Sequence, residues 1–389
     1  MTALGIFKVL YAPNKVFKEV IQNPRYTGPI LIMLLFVAAN SLAAYILAAK
    51  TCFEGTFPQK EGEGWTENPT LWTASVNNSP FTNSPVKENR TDYIRGGSYG
   101  NKSIEFQAEN CTSISFKVDL EGVNCSSLGG YEKLYLRVKL VSPDEPPEKV
   151  FLNMYSTYPS NGFSQDLTLK FLNTTSKFWN NLTLNLANPD WRSFGGDWSN
   201  ITCLTLEFTW KKPSKVWILL DGLFFGGIFR SYMENFASYI ANYAAYAFMQ
   251  FIIRWVMLGG FMYIMSKAFK AQTVWRVVLV LAGSALITMF IHALINAAAF
   301  STLPKITYPF ELTGGVPGEG GEAYNRILEE TSLVNQVYSY TSIAIMLWTV
   351  LLCAVALRLA TGFSWTTTLL IAIVANFLTS FIERFLTGV

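Results

Sequence analysis

The sequence predicts an α-helical membrane bundle of five spans plus an all-β extracellular sandwich inserted between spans one and two. Half of the 389 residues are apolar and only 15% are charged, which is too apolar for an ordinary soluble protein. Five runs are long enough to cross a bilayer, since a span needs about 20 apolar residues. Between the first two runs, apolar and polar residues alternate with a period of two, which is the period of half-buried strands.

The five apolar runs divide the chain. The first is free of charge and too long for the core of a signal peptide, so we interpret it as a retained span. The predicted spans cover residues 28–49, 236–265, 277–300, 337–357 and 363–382. The predicted domains are a cytoplasmic amphipathic segment at 1–27, span one at 28–50, a glycosylated β-sandwich at 51–226, and spans two to five at 227–389 with an acidic outside loop at 301–335.

Basic residues near the span ends predict the orientation. Basic residues are concentrated before span one and between spans two and three. They are Lys8, Lys15, Lys18, Arg25, Lys267, Lys270 and Arg276. Because lysine and arginine favour the cytoplasmic side, we expect a cell-membrane protein with a cytoplasmic N-terminus. Residues 51–235 and the C-terminus are then extracellular.

Eight N-x-S/T sequons, in which x is not proline, support this orientation. All of them lie in the segment that charge places outside: Asn77, Asn89, Asn101, Asn110, Asn124, Asn173, Asn181 and Asn200. This clustering predicts an exported segment that carries N-linked glycans.

Four of the five cysteines also lie in this segment, as expected of an oxidising compartment. Cys52, Cys111, Cys125 and Cys203 predict two disulfides, for which three connectivities are open. We favour the pairs Cys111–Cys125 and Cys52–Cys203.

The inserted segment predicts a two-sheet sandwich of about eight strands, of which a jelly roll is the favoured form. The strand runs are 113–120, 133–141, 149–156, 166–172, 178–186 and 201–210. The run VWILLDGLFFGG, at 216–227, is too short to cross a membrane. We therefore interpret it as a closing strand, with Gly226 and Gly227 starting a hinge into span two.

The segment resembles the galactose-binding-like carbohydrate-binding jelly rolls in CFEGT (52–56), GGSYGNKSIEF (96–106) and WILLDGLFFG (217–226). The resemblance implies a structural Ca²⁺ held by Glu54 and Asp221, since calcium takes carboxylate oxygens. The alternative is that Asp221 is a hydrogen-bonded residue in a tight turn or bulge.

Sugar recognition needs aromatic faces with polar groups beside them. The loop NPDWRSFGGDW offers Trp191, Trp198, Asp190 and Arg192 as candidate ligand-binding residues. The alternative is that its tryptophans belong to the core of the sandwich.

The remaining chain resembles the Yip (Ypt-interacting protein) family of five-span membrane proteins. The resemblance lies in VLYAP (9–13), FKE (17–19), NPR (23–25), GP (28–29) and the segment 259–286. It implies a cytosolic N-terminus and, given the dense sequons, an archaeal source. The large insert and the short N-terminal region depart from the family pattern.

Two intramembrane side chains are candidates for a role in the bundle. Arg254 interrupts the second apolar run, and such a charge marks a functional candidate unless it reaches the interface by snorkelling. For His292, the only histidine, a structural role is favoured over a proton relay.

Catalysis finds little support in the sequence. It has one histidine, no metal-ligand cluster, no nucleophile motif and no phosphate loop. We expect a non-enzymatic cell-surface glycoprotein that contacts membrane lipids and binds glycans or envelope proteins, with no nucleic-acid partner. The alternative is a scaffold or accessory subunit of a membrane complex, and a transporter is the least favoured class.

Overall fold

The structure is a computed structural model that describes residues 3–58, 64–77, 79–80, 86–96, 99–127, 129–172 and 176–387. The chain divides into two compact units. The helix unit comprises Met1–Thr51, Ser231–Ile306 and Glu329–Val389, and the β unit comprises Cys52–Arg230 and Thr307–Leu328.

Helices account for most of the helix unit. In chain order the α-helices are α1 (Ala3–Tyr11), α2 (Pro13–Gln22), α3 (Thr27–Lys50), α4 (Thr168–Leu172, in the β unit), α5 (Phe236–Ala268), α6 (Trp275–Ala285), α7 (Ile287–Ser301), α8 (Glu319–Thr361) and α9 (Trp365–Thr387). Five helical stretches are long and apolar enough to cross a membrane: Thr27–Lys50, Phe236–Ala268, Trp275–Ser301, Glu319–Thr361 and Trp365–Leu386. Each of them overlaps one of the five predicted runs.

Helix α8 begins well before the predicted start at residue 337. Glu319 and Glu322 lie in its first turn, where carboxylates interact favourably with the positive end of the helix dipole. The Glu319 Oε2 atom also accepts a hydrogen bond from the Val316 N–H at 3.0 Å. Residues 319–335 are therefore helical, whereas the sequence predicted an acidic loop.

The amphipathic helix expected near the N-terminus is α2, and α1 was not predicted. Val16, Phe17 and Val20 of α2 are buried, as are Ile6 and Val9 of α1. These side chains belong to the same hydrophobic core as the long helices of the unit. The apolar sides of α1 and α2 therefore pack on protein.

The β unit is built on antiparallel strands. They are β1 (Thr51–Phe57), β2 (Trp72–Val76), β3 (Ser79–Pro80), β4 (Val86–Asn89), β5 (Ser103–Val123), β6 (Lys133–Ser142), β7 (Lys149–Thr157), β8 (Asn161–Asp166), β9 (Asn180–Asn185), β10 (Arg192–Ser193), β11 (Ile201–Ser231) and β12 (Ile306–Tyr308). Across the described residues they join into one twelve-stranded sheet.

The two longest strands, β5 and β11, link two groups of strands. Residues 203–209 of β11 pair with β7 and with the second half of β5, while residues 216–226 pair with β6 and the first half of β5. The register shifts between Thr209 and Val216. Leu136 of β6 and Leu152 of β7 lie in one hydrophobic core. The strands thus enclose a single core. The prediction was a two-sheet jelly roll of about eight strands, and the antiparallel β character of this prediction is confirmed.

Two predicted boundaries in the β unit are wrong. The run 166–172 forms the short helix α4 instead of a strand, and Asp166 Oδ1 accepts the Thr168 N–H at 2.8 Å in a turn that leads into the helix. The run 216–227 lies in β11 as expected, but β11 continues to Ser231. Gly226 still pairs with Lys133, so the two glycines do not form a hinge.

The predicted disulfides do not form. Cys52, Cys111, Cys125 and Cys203 are all buried free thiols. Cys111 lies within β5 and Cys125 lies beyond its end, so roughly 40 Å of extended strand separates them. A disulfide needs Cα atoms within about 7 Å of each other, which excludes the Cys111–Cys125 pair in this fold.

Candidate functional site

A row of six polar side chains crosses the β unit from one strand to the next. Residues directly opposite each other on antiparallel strands project from the same face of a sheet. The row runs through Thr73, Lys117, Thr205, Asn153, Ser164 and Arg192, each in register with the next. Neighbouring strands lie about 4.8 Å apart, so the row is roughly 24 Å long.

Two further rows flank this one at a spacing of two residues along each strand. One contains Asp119, Cys203, Tyr155 and Gly162, and the other contains Ser75, Ser115, Glu207, Phe151 and Asp166. We call the surface formed by these three rows the three-row face. The residues between them, such as Phe116, Leu204 and Leu152, lie in the core, so the strand alternation directs the polar set outward.

Hydrogen bonds fix the centre of the three-row face. Asn153 Nδ2 donates to Thr205 Oγ1 and to Glu207 Oε1, both at 3.1 Å. Asn153 and Thr205 are buried and form the floor of the face. Burial raises the pKa of Glu207 above its usual range, and the hydrogen bond from Asn153 opposes that shift. These polar groups are therefore held in place before any ligand arrives.

Aromatic rings stand at one side of the three-row face. Tyr155 packs edge-on against Tyr158 and Phe194, with centroid separations of 5.0 and 5.7 Å. Lys117 Nζ lies 4.4 Å from the Tyr158 centroid and 3.0 Å from Asp119 Oδ1. Tyr158 is 49% exposed. An accessible ring thus lies beside charged hydrogen-bonding groups.

The predicted glycosylation sites avoid this face. None of the eight sequon asparagines belongs to the three rows, and Asn173 lies outside the described residues. Six of the other seven are exposed and Asn89 is partly buried. Asn181 lies in β9, beside Arg137 of β6. Glycans at the predicted positions would attach outside the three rows, and Asn77 is two residues beyond Ser75 of the face.

The four predicted ligand-binding residues do not form one platform. Trp191 is buried, and its Nε1 donates to the Asn185 carbonyl at 2.9 Å. Trp198 is partly buried and stacks on Phe163 with centroids 3.9 Å apart. Asp190 and Arg192 are exposed, and only Arg192 belongs to the three-row face. The alternative, that these tryptophans pack with the core, holds in the structure.

Glu54 and Asp221 each bind hydrogen-bond donors. Glu54 Oε1 accepts from Tyr135 Oη at 2.7 Å and from the Gly227 N–H at 2.6 Å, and Oε2 accepts from the Phe310 N–H at 2.8 Å. Asp221 Oδ2 accepts from the Ile94 N–H at 2.7 Å.

The Asp221 carboxyl is fully buried, and its Oδ1 accepts the Gly222 N–H at 2.7 Å. Burial raises the pKa of Asp221 to about 8, while the hydrogen bonds from Ile94 and Gly222 act in the opposite direction. The turn at Gly222 has φ +61°, which suits glycine. This arrangement agrees with the tight-turn alternative.

The donor set around both carboxylates does not fit the predicted calcium ion. Calcium takes oxygen acceptors as ligands, whereas Glu54 and Asp221 mainly face N–H and O–H donors. In the part of the chain that the structure describes, no group of three His, Cys, Asp or Glu side chains could hold a metal.

A second polar cluster, which the sequence did not indicate, surrounds Arg137 on β6. The guanidinium is fully buried, and its Nη2 lies 2.5 Å from Glu319 Oε1. The rings of Tyr99, Tyr135 and Phe310 lie 5.3, 5.4 and 6.0 Å from its Cζ. Within the described residues, Nε and Nη1 have no hydrogen-bond partner. We call these five residues the Arg137 cluster.

The two intramembrane candidates have partners within the helix unit. Arg254 Nη1 lies 3.5 Å from Glu383 Oε2, and Gln250 Nε2 donates to Glu383 Oε1 at 2.8 Å. Arg254 of α5 thus forms an ion pair with Glu383 of α9. His292 Nε2 lies 3.4 Å from Ser342 Oγ, and its ring lies 5.5 Å from the Tyr338 ring.

The fold and the candidate site together define the class of this protein. It has five helices that are long and apolar enough to cross a membrane, and a β unit in which one face of the sheet is polar and contains no sequon. No family model and no curated protein matches the chain.

Carbohydrate-binding modules are among the solved structures to which the chain is similar. The family 11 module from Clostridium thermocellum, in complex with a β-1,3-1,4-mixed-linked tetrasaccharide, is 11% identical, covers 42% of this chain and 94% of its own, and has a TM-score of 0.29. The family 30 module of a C. thermocellum cellulosomal cellulase is 10% identical, with coverages of 44% and 95% and a TM-score of 0.31. Because both scores are low, we base the function on the side chains of this chain.

Proposed function

We propose that this chain is a non-enzymatic, multi-pass cell-surface glycoprotein whose β unit binds glycans through the three-row face. The observation that carries the proposal is the continuous polar row from Thr73 to Arg192, in register across six strands. The same face bears no sequon. The predicted glycans would therefore attach to residues outside the three rows.

The chemistry of the face suits a neutral oligosaccharide. Sugar hydroxyls donate and accept hydrogen bonds, and the face offers both kinds of partner. Lys117 and Arg192 donate, whereas Asp119, Glu207 and Asp166 accept. The positive and negative charges on the face nearly balance, so the face has no strong electrostatic potential that would favour a charged ligand. The Tyr158 ring supplies an apolar surface against which a sugar ring can stack.

The carboxylates of the face support a binding role. Glu207 accepts a hydrogen bond from Asn153, and Asp119 is paired with Lys117. Both are engaged with neighbouring side chains, which suits positioning better than the proton transfers of glycoside hydrolysis. We therefore propose that the chain binds a sugar without cleaving it.

The membrane part of the proposal rests on the five long apolar helices. We propose that they hold the β unit at the outer surface of the cell membrane, with the basic residues near α1 and α2 in the cytoplasm. The Yip-family relationship, the archaeal source and N-linked glycosylation belong to the same proposal. Eight sequons on one segment support the last of these.

A glycan array probed with the full-length, detergent-solubilised protein tests the binding role. We expect saturable binding of neutral oligosaccharides that survives EDTA and falls at least about tenfold in the double variant Asp119→Ala/Arg192→Ala, which removes two exposed hydrogen-bonding groups of the face. The matched control, Asp144→Ala/Arg95→Ala, changes the same residue types at exposed positions away from the face. Equal binding by the two double variants, or none by the natural protein, would overturn the proposal.

One observation favours the alternative of a scaffold within a larger membrane complex. Phe377, Phe381 and Phe385 of α9 recur every four residues and are 70%, 66% and 83% exposed. Such a stripe faces lipid or the helix of a partner. Native mass spectrometry of gently solubilised membranes distinguishes the two, because a protein that works alone remains monomeric.

A further inference from the structure

We propose that one end of the helix unit binds the headgroups of anionic phospholipids. We call this end the basic end. Its cations are Lys8, Lys15, Lys18, Arg25, Lys267, Lys270, Arg276 and Arg358, and its single acid is Glu19. The inference rests on the proposed membrane placement, but it does not depend on which way the protein faces.

Ring contacts bring these residues to the same end of the unit. Phe269, after α5, packs against Phe363, before α9, with centroids 6.3 Å apart. The Arg276 guanidinium lies 5.6 Å from the Tyr26 ring, just before α3. Helix α2 also packs against α6, and α1 packs against α2. The two short connections and the N-terminal helices therefore contribute to one surface.

The cations of the basic end are exposed and lack acidic partners. All eight residues are exposed, and none belongs to an ion pair in the part of the chain that the structure describes. A surface with eight cations and one acid has a strong positive potential. Basic clusters next to membrane helices attract anionic lipids, at about 1 kcal/mol per Lys or Arg.

The binding mode follows from the packing of α1 and α2. An amphipathic helix that inserts into lipid needs a free apolar side. Here that side is buried, because Val16, Phe17 and Val20 lie in the protein core. The lysines on the other side stay exposed. Lipid contact at α2 is therefore electrostatic, made with headgroups and sensitive to salt.

Aromatic residues place the basic end at headgroup depth. Arg358 lies 4.5 Å from the Trp365 ring, and Lys267 lies 5.6 Å from the Tyr263 ring. Trp275 and Trp365 are 38% and 45% exposed. Tryptophan and tyrosine concentrate at the interface between hydrocarbon and headgroups. The arrangement thus presents cations to lipid phosphates.

The test counts lipids retained by the full-length protein from nanodiscs that contain equal amounts of phosphatidylglycerol and phosphatidylcholine. We expect an anionic preference of at least about tenfold, which high salt weakens. The double variants Lys15→Gln/Lys18→Gln and Lys267→Gln/Lys270→Gln should each reduce it by about tenfold. The control Lys149→Gln/Lys211→Gln removes the same charge from exposed positions of the β unit.

Two kinds of result would contradict two different parts of the proposal. Equal retention of the two lipids, or an equal loss in the control variant, would overturn the lipid site. Release of the natural protein from native membranes by alkaline carbonate would overturn the membrane placement instead. The two failures are therefore distinguishable. Because all four lysines are exposed, their replacement should leave the fold intact.

Discussion

The three-row face and Arg137 occupy outward positions on two groups of strands that share β5 and β11, yet the face has exposed side chains around a buried floor, whereas Arg137 is fully buried. In both places, outward residues alternate with core residues. The difference lies in residues 307–328, because Phe310 and Glu319 cover Arg137. Strand alternation decides which way a side chain points, but a distant segment decides whether water reaches it.

This difference has an energetic consequence. A polar group near water exchanges one hydrogen-bond partner for another at little net cost. A buried guanidinium has lost its water and depends on its remaining partners. We therefore expect substitutions in the Arg137 cluster to change stability, and substitutions on the three-row face to change binding.

The largest expected effect follows from the substitution Glu319→Ala. It leaves the buried Arg137 charge without its carboxylate, so the free energy of unfolding should fall by about 3–5 kcal/mol. Chemical denaturation followed by circular dichroism measures this change. The control Glu322→Ala alters an exposed carboxylate in the same helical turn. Equal stability of the two variants would contradict the claim that Glu319 compensates the buried charge of Arg137.

The next effect comes from adding a glycan to the three-row face. Thr73→Asn creates the sequon Asn-Ala-Ser on β2, at the edge of the central row. In a glycosylating host, we expect glycan binding to fall more than tenfold while stability stays nearly constant, because Thr73 is exposed. Asn181→Gln removes a predicted glycan near Arg137 and serves as the control. Full binding by a protein shown to be glycosylated at position 73 would count against the face.

A pH effect should arise from Asp221. Its pKa is about 8 in the folded protein and 3.8 in the reference state, so folding favours its protonated form. This contribution is fully present below pH 4 and is lost as the pH rises toward 8. The natural protein should lose stability across this window, and Asp221→Asn should lose less. Asp144→Asn, at an exposed carboxylate, should retain the natural slope; an unchanged slope in Asp221→Asn would refute the assignment.

The smallest effect should follow from Tyr158→Ala. Loss of one stacking surface should weaken glycan binding about threefold, since the hydrogen-bonding groups at the centre of the three-row face remain. Titration of the full-length protein with the oligosaccharide found on the array measures this change. Phe178→Ala removes an aromatic ring that is 65% exposed but not on the face. A larger loss in that variant would show that the sugar lies elsewhere.

Features encoded by local periodicity could be predicted from the sequence. Five apolar runs predicted five long helices, and alternation predicted the strands β5, β6, β7, β9 and β11 of the β unit. The run 166–172 shows the limit of this reasoning. It alternates like a strand, but a hydrogen bond that the Thr168 N–H donates to Asp166 Oδ1 favours a turn at this point.

Features that depend on distant contacts could not be predicted. Arg137 and Glu319 are separated by 182 positions, and nothing near either residue indicates the other. Trp191 looked like a sugar-stacking residue because its neighbours are polar, but its exposure depends on packing against the core. The three-row face became visible only when the strand register was known.

Photo-crosslinking of a bound neutral oligosaccharide to the full-length protein, followed by peptide mapping, tests the central claim most directly. The account predicts saturable crosslinks to peptides of β5, β7, β8 and the first half of β11, which carry the three-row face. Excess unlabelled sugar should remove them. Crosslinks confined to the loop at 188–191, to residues 307–319 or to the helix unit would contradict it.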